Sequence, residues 1–212
     1  MRILAIDSAS EACSAALFDG GKVVDGFFEI LGRGHAERLV PMIGELPDRG
    51  RADRILVSLG PGSFTGVRIG LAAARALGLA WQVPVAGYPT LALIAAMART
   101  EAGVDKPVSV AVTGGHGEWF VQDFARDGLP ESELVSLGPE EAAQAARHAY
   151  VAGSQADALV SLRGNGKALP LRPDARCALL LPRSLLSDRL SPLYGRGPDA
   201  KLPQKTNRKG AA

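Results

Sequence analysis

The string Ser58-Leu59-Gly60-Pro61-Gly62-Ser63-Phe64-Thr65-Gly66-Val67-Arg68-Ile69-Gly70 constrains this chain more than any other. A strand over Arg54 to Leu59 leads into a Gly/Pro/Ser turn, and the turn leads into a helix rich in small residues. Such a junction aims several backbone N–H groups at one point beside the positive end of a helix. It therefore suits an anion or a fixed interface. No Gly-Lys-Ser/Thr follows, so it is not a Walker A loop, and Gly60, Gly62 and Gly66 lack the dinucleotide spacing. Gly60, Pro61, Gly62, Ser63, Phe64 and Thr65 form the turn.

The flanking hydrophobic pattern reads as strands and helices in alternation. Ile3 to Ile6 is a buried strand that ends in Asp7-Ser8-Ala9-Ser10. Cys13 to Phe18 is a second strand, Asp19-Gly20-Gly21 a hairpin turn, and Lys22 to Ile30 a third strand. Past Gly32-Arg33-Gly34, residues Leu39, Met42, Ile43 and Leu46 fall at helical spacing, with Pro41 among them. Either that helix begins near Val40 with Pro41 in its first turn, or it is kinked there. The helix from Gly66 to about Gln82 carries Gly66, Gly70, Ala73, Ala74 and Leu77 on neighbouring turns, small enough for another backbone to come close. Val83 to Gly87 is a short strand, and Thr90 is placed to cap a helix running to Arg99.

Glu101 to Pro107 reads as a junction, giving an N-terminal unit over 1–105 and a second over 106–202. Val108 to Val112, the turn Thr113-Gly114-Gly115-His116-Gly117 and Glu118 to Ala125 echo the strand–turn–strand of residues 3–18. The echo predicts a duplicated fold with a reduced second copy. A helix over Pro139 to His148, a strand over Tyr150 to Ala152 and a last helix within Ala175 to Arg189 follow. Residues 203–212 read as a disordered basic tail.

The candidate chemistry is sparse. Asp7, Ser8 and Ser10 suit a phosphate or a hydrated cation, and turn chemistry explains them equally well. His35 and Glu37 fit an acid–base pair or a solvated helix start. The three histidines are scattered, so no metal site is expected. No Gly-x-Ser-x-Gly elbow occurs, which removes support for a hydrolase triad. Lys201, Lys205, Arg208 and Lys209 suit contact with RNA phosphates or simple solvation. The stripe Leu39, Met42, Ile43 and Leu46 and the Gly66–Gly70–Ala73–Ala74 face serve either a core or a helix-on-helix interface.

Composition sets the remaining bounds. Aromatics make up 5% of 212 residues, so the core must be built from small aliphatic side chains. A net charge of +2 gives no global signal for nucleic acid or membrane. Cys13 and Cys177 form neither a metal spacing nor a disulfide framework, and they read as reduced thiols. No apolar run approaches a membrane span, and the chain enters a strand at once, which leaves no room for a signal peptide. The expected location is the cytoplasm.

Three stretches carry a family resemblance: residues 1–17, residues 33–43 with Arg-Gly-His-Ala-Glu-Arg-Leu-Val-Pro-Met-Ile, and residues 59–70 with Leu-Gly-Pro-Gly-Ser-Phe-Thr-Gly-Val-Arg-Ile-Gly. Their order and spacing resemble the bacterial TsaB family, also called YeaZ. The C-terminal half matches more loosely, through the 108–125 hairpin and Pro192-Leu193-Tyr194-Gly195-Arg196. The resemblance implies an actin-like (sugar kinase/Hsp70-like) α/β fold of two ribonuclease-H-like lobes. It implies a non-catalytic subunit in the formation of N6-threonylcarbamoyladenosine at position 37 of tRNAs reading ANN codons. Implied partners are a TsaD-type catalytic subunit, a TsaE-type ATPase, a second copy of the chain through the same helices, and tRNA indirectly.

Carried over, the partner face comprises His35, Glu37, Leu39, Met42, Ile43, Leu46, Gly66, Arg68, Gly70, Ala73, Ala74 and Leu77. On that expectation, Met42→Asp or Gly70→Arg abolishes pairing. No cofactor is expected on this chain alone, and ATP or ADP is expected, if anywhere, at the partner interface. The paralogue's H-x-x-x-H metal pair is missing from Gly87-Tyr88-Pro89-Thr90-Leu91-Ala92-Leu93. Thr113 to Gly117 also departs from the family's Asp-Ala-Arg-like turn, and the short second lobe argues against a complete nucleotide site. The alternative is an actin-like ATPase or kinase that uses Asp7 and the Gly60–Gly66 turn.

Overall fold

A computed structural model describes residues 1–103, 106–193 and 195. The tail over 203–212, part of the 101–107 junction, Tyr194 and Arg196 lie outside the described residues.

The chain opens with three antiparallel strands, β1 (Arg2–Asp7), β2 (Ala12–Asp19) and β3 (Lys22–Ile30). Gly20 and Gly21 both take positive φ, 55° and 84°, in the two-residue β2–β3 turn, as a tight hairpin requires. Helix α1 (His35–Glu45) leads to β4 (Arg54–Ser58), and α2 (Phe64–Trp81) leads to β5 (Val85–Tyr88). The sheet order is β3-β2-β1-β4-β5, with β4 and β5 parallel to β1. After α3 (Thr90–Glu101) come β6 (Val108–Thr113), β7 (Trp119–Phe124), β8 (Val135–Leu137), α4 (Pro139–Ala145), β9 (Tyr150–Ala152), α5 (Ala156–Arg163) and β10 (Lys167–Leu169). The second sheet has the order β10-β9-β6-β7-β8.

Strand for strand, the second sheet repeats the first. β6 stands for β1, β7 for β2, β8 for β3, β9 for β4 and β10 for β5, with the same parallel and antiparallel pairings. The expected duplication is therefore present. The reduction lies in element length, since both sheets have five strands while β8, β9 and β10 have three residues each.

One face of the first sheet (Leu4, Ile6, Leu17, Ile55, Val57) packs on α1 and α2. The other face (Ala5, Ala16, Leu56, Tyr88) packs on α3, and the same cluster continues into Val108, Val110, Phe120 and Phe124 of the second sheet. The two halves therefore share one core, with α3 between them.

Several boundaries differ from the sequence reading. Helix α1 begins at His35, five residues before Val40, and Pro41 lies inside it. Burial of His35, Leu39, Met42 and Ile43 along one face outweighs the hydrogen bond that Pro41 cannot make. Helix α2 starts at Phe64 because Ser63, not a glycine, caps it, accepting from the Gly66 N–H. Thr90 does not cap α3 but is its first residue, and its hydroxyl hydrogen-bonds Ser58.

Helix α4 ends at Ala145 rather than His148. Buried Asp123 accepts from Arg147 Nε at 2.6 Å, and the His148 N–H donates to Ser109 Oγ, so the backbone is drawn out of the helix. The last helix expected within Ala175–Arg189 is instead two 3₁₀ turns, Ala175–Leu180 and Arg183–Leu185, separated by Pro182. Three elements were not anticipated: β8, α5 and β10. Three-residue strands have too few positions to display a period.

Met42 is fully buried in the α1–sheet core, so Met42→Asp is expected to unfold the protein rather than dissect a surface. Gly44 is exposed on α1 with open space where a Cβ would go. Gly44→Ala should stabilise by about 0.5–1 kcal/mol in chemical denaturation, because the helical backbone tolerates Ala there.

Candidate functional site: an interlobe cleft and an outward helix face

The C-terminal ends of β1 and β4 bring two loops together. The Ser63 N–H donates to Ala9 O at 2.7 Å, and Ser8 Oγ donates to Gly66 O at 2.9 Å. A Cβ on Gly62 would collide with Ala9 O, and one on Gly66 with Ser8 O. On Gly70 it would meet Ser8 Oγ at 2.6 Å. These glycines thus serve a close approach within this chain, where α2 is laid against the β1–β2 turn.

The second sheet repeats the device. A Cβ on Gly153, at φ 114°, would collide with Ala111 O. The Thr113 N–H donates to Ser154 Oγ at 3.0 Å, and the Gln155 N–H donates to Ala111 O at 3.1 Å. Each sheet therefore presents a hairpin turn locked to a glycine turn that opens a helix. The two assemblies face one another across a cleft of about 810 Å³. Ser10, Pro61, Gly62, Ser63, Phe64 and Arg68 line its first wall. Thr113 to His116, Phe120 and Ser154 line its second.

Asp7 and Ser8 do not line the cleft; both are buried beneath its first wall. Asp7 accepts from the Ala9 N–H at 3.0 Å, and Tyr88 Oη donates to Ile6 O at 2.9 Å while lying 3.3 Å from Asp7 Oδ2. Burial pushes the Asp7 carboxyl up to about 6, against the lowering effect of its hydrogen bonds. Ser10 Oγ accepts from the Ala12 N–H, which is ordinary turn chemistry. His35 is buried, with Nε2 2.9 Å from Ser10 O and 3.3 Å from Ala12 O. Both partners only accept, so Nε2 carries the hydrogen and the ring braces the turn.

The residues at the cleft do not fit the metal-bound nucleotide that an actin-like fold implies. Glu11, on its wall, is tied to Arg172 at 2.6 Å. Asp7 is turned away, and no group of three or more ligating side chains able to hold a metal occurs among the described residues. Arg172, Thr90, Phe120 and Ser154 were missed in the sequence. Glu11 and Arg172 meet across 161 positions of chain, so no local signal marks them. Ser154, beside Gly153 in a strand-to-helix turn, was the one with a readable pattern.

The twelve residues of the expected partner face divide by depth. Leu39, Met42, Ile43, Leu46, Gly66, Gly70 and Ala74 are buried inside this chain along with His35, while Ala73 and Leu77 are half-buried. Glu37 and Arg68 are exposed. Of the turn residues, Gly60 and Pro61 are buried, while Ser63, Phe64 and Thr65 are exposed. The sides of α1 and α2 turned from the sheet carry other residues. Val40 is 60% exposed on α1, and Phe64 is 67% and Leu79 82% exposed on α2. On α2, Phe64, Arg68, Ala72, Arg75 and Leu79 fall on one stripe at helical spacing. Arg38 holds α1 to β3 through Glu29 and to its own last turn through Glu45. Its hydrogen bonds keep the Glu29 carboxyl below the usual range.

Among the described residues, no helix is long and apolar enough to cross a membrane.

A family model described as TsaD, tRNA N6-adenosine threonylcarbamoyltransferase, matches residues 28–166. The chain is similar to the tRNA threonylcarbamoyladenosine biosynthesis protein TsaB of Escherichia coli (strain K12), 39% identical over 132 residues, covering 60% of this chain and 56% of that protein. The protein of the same description from Bacillus subtilis (strain 168) is 33% identical over 119 residues, covering 54% and 52%. The chain thus matches just over half the length of these curated relatives. Among solved structures, YeaZ from Pseudomonas aeruginosa matches with TM-score 0.78 at 29% identity, over 91% of this chain and 99% of that one. Ethanolamine utilization protein EutJ from Carboxydothermus hydrogenoformans matches with TM-score 0.52 at 11% identity, over 86% and 90%, a likeness of fold alone. The fold is α/β and actin-like.

The Asp7 carboxyl binds its proton more tightly in the folded state, from an ordinary 3.8 up to about 6. Its contribution to stability is therefore complete below about pH 4 and is lost as pH rises through about 6. By pH 8 the loss approaches about 3 kcal/mol. Asp7→Asn should flatten this part of the stability–pH profile, measured by urea denaturation between pH 4 and 8. An unchanged slope in the variant would remove Asp7 as its source.

Proposed function

Since the chain belongs to the TsaB (YeaZ) family, within the wider family that the TsaD model describes, we propose that it is the non-catalytic docking subunit in the formation of N6-threonylcarbamoyladenosine at position 37 of tRNAs reading ANN codons. Its partner in this reading is a TsaD-type transferase, which supplies the metal and the chemistry. A TsaE-type ATPase joins the assembly, tRNA is engaged through the partner, and ATP or ADP sits at the interface between subunits rather than on this chain alone. The work is cytoplasmic. Residues 1–105 are the docking lobe, and 106–202 support it.

The observation that carries this reading is the outward stripe of α1 and α2. Val40, Phe64 and Leu79 expose apolar side chains on two adjacent helices that pack on the same sheet face. They are spread along this surface, Phe64 and Leu79 near opposite ends of α2, and exposed apolar side chains of this size favour association. The buried members of the expected face act indirectly: they seat the helices, and the outward residues make the contact. Gly66 and Gly70 fix the height and rotation of α2 over the sheet, and Leu39, Met42 and Ile43 do the same for α1. The same face serves a homodimer when the transferase is absent, so the two pairings compete.

The test is size-exclusion chromatography with light scattering on this protein mixed with a TsaD-type protein, with and without ATP. A one-to-one complex that replaces any homodimer supports the docking role. Val40→Glu and Leu79→Glu should each weaken the complex by about ten-fold or more while leaving the melting transition within a few degrees, since both positions are exposed. If both charged variants bind as tightly as the parent, the outward stripe is not the docking face. If no complex forms under any condition, the subunit role itself fails.

A further inference from the structure

The chain beyond β10 completes neither sheet, yet it is held at one point after another. It crosses to the first sheet, where Arg172 pairs with Glu11 at 2.6 Å and the Ala175 N–H donates to Ser14 Oγ at 2.9 Å. Ser187 then exchanges two backbone hydrogen bonds with Gly87 on β5, at 2.7 and 3.0 Å. Arg75, from the outward stripe of α2, donates to Leu190 O at 2.6 Å. The Leu193 N–H donates to Leu59 O at 2.8 Å, at the entrance to the glycine loop. Gly60, at φ 86°, has its Cα side turned to Val67 and to Leu193 O, so the loop and this segment are closely apposed. Gly195 then lies against the Phe120 ring on β7, across the cleft, and both Leu193 and Gly195 line that cleft.

Two features set this segment apart. Its attachments reach β5, α2 and the glycine loop, and Gly195 just beyond it lies against Phe120 on the far wall of the cleft. Yet no residue between 183 and 193 is fully buried. It is held by a few backbone and side-chain hydrogen bonds and by the partly buried side chains of Leu185, Leu186 and Leu190, which lie on the rims of the two cores, a shallow attachment of the kind that opens at lower free-energy cost than the core itself.

We infer that residues 187–193 are a releasable strap that fixes the glycine loop and the first turn of α2 against the cleft. Attached, the strap adds a second hold on the entrance of the loop, beside the Ser63–Ala9 and Ser8–Gly66 bonds, and so steadies the first turn of α2, where Phe64 and Arg68 belong at once to the cleft wall and to the outward stripe. Released, it frees the loop and the first turn of α2 together, with β1 and β4 unaffected. The device needs no partner, so it stands or falls apart from the docking role.

Hydrogen exchange followed by mass spectrometry tests it on three proteins: the full chain, a chain ending at Gly195 that lacks residues 196–212, and a chain ending at Leu186 that lacks the strap as well. The expected result is exchange at least about ten-fold faster over residues 59–67 in the chain ending at Leu186, with β1 and β4 unchanged. The chain ending at Gly195 should match the full chain. Leu193→Pro, which removes the single N–H donated to Leu59 O on an exposed residue, should loosen the same stretch, and it decides the matter if the shortest chain does not fold. Unchanged exchange over 59–67 in Leu193→Pro and in a folded shortest chain would overturn the strap. So would equal loosening when only residues 196–212 are removed.

Discussion

The approach of α2 to the β1–β2 turn is the contact on which the rest of the molecule depends. Two backbone carbonyls, Ser8 O and Ala9 O, lie where side chains at Gly66 and Gly62 would otherwise stand, and the Ser8 hydroxyl occupies the space beside Gly70. Nothing larger than hydrogen fits at the first two positions without moving the backbone. Because the contact fixes the height and rotation of α2, it decides which residues of that helix face the sheet and which face out. It also fixes the glycine loop as one wall of the cleft. The cleft and the outward stripe are two sides of one packing decision.

The second sheet shows the same solution at smaller scale. Gly153 meets Ala111 O as Gly62 meets Ala9 O, and Ser154 holds Thr113 near the place where Ser63 holds Ala9. With strands of three residues and helices of seven and eight, this half cannot bury as much on its own. It compensates by sharing the α3 core with the first sheet. The C-terminal segment adds to that core, since Ala175 and Ala178 of its first 3₁₀ turn and Leu181 are buried in it, and the strap then runs along β5. The actin-like plan is thus retained, while of the carboxylates beside the cleft Asp7 is buried and Glu11 is tied to an arginine.

Legibility in the sequence followed the length and locality of each signal. The first five strands and three helices stood out because each has a period or a turn with special chemistry, such as Gly20-Gly21. The glycine-rich string was legible as a junction, but its use was not. Gly66 and Gly70 read equally as core or as partner surface, since a small residue reports a close approach without naming what approaches. The start of helix α1 stays open in the sequence, because Pro41 suits either a first turn or a position within the helix, and core burial settles it at His35. Glu11–Arg172 and Tyr88–Asp7 join residues far apart in the chain, and no local pattern announces them.

By itself the sequence determined the αβ order, the glycine junction and the duplicated hairpin, because each is written in composition or in short-range periodicity. It also determined that α1 and α2 each carry a small or apolar stripe. Only the tertiary structure decided that these stripes turn inward. The face of the first sheet turned away from α3 needs both helices to cover it, so Leu39, Met42 and Gly70 are consumed in the chain's own core. What remains for a partner is the opposite side, Val40, Phe64 and Leu79, whose availability depends on how the two helices are rotated over the sheet. That rotation is set by the contact of Gly66 with Ser8 O, between residues 58 positions apart, and no stretch of sequence contains it.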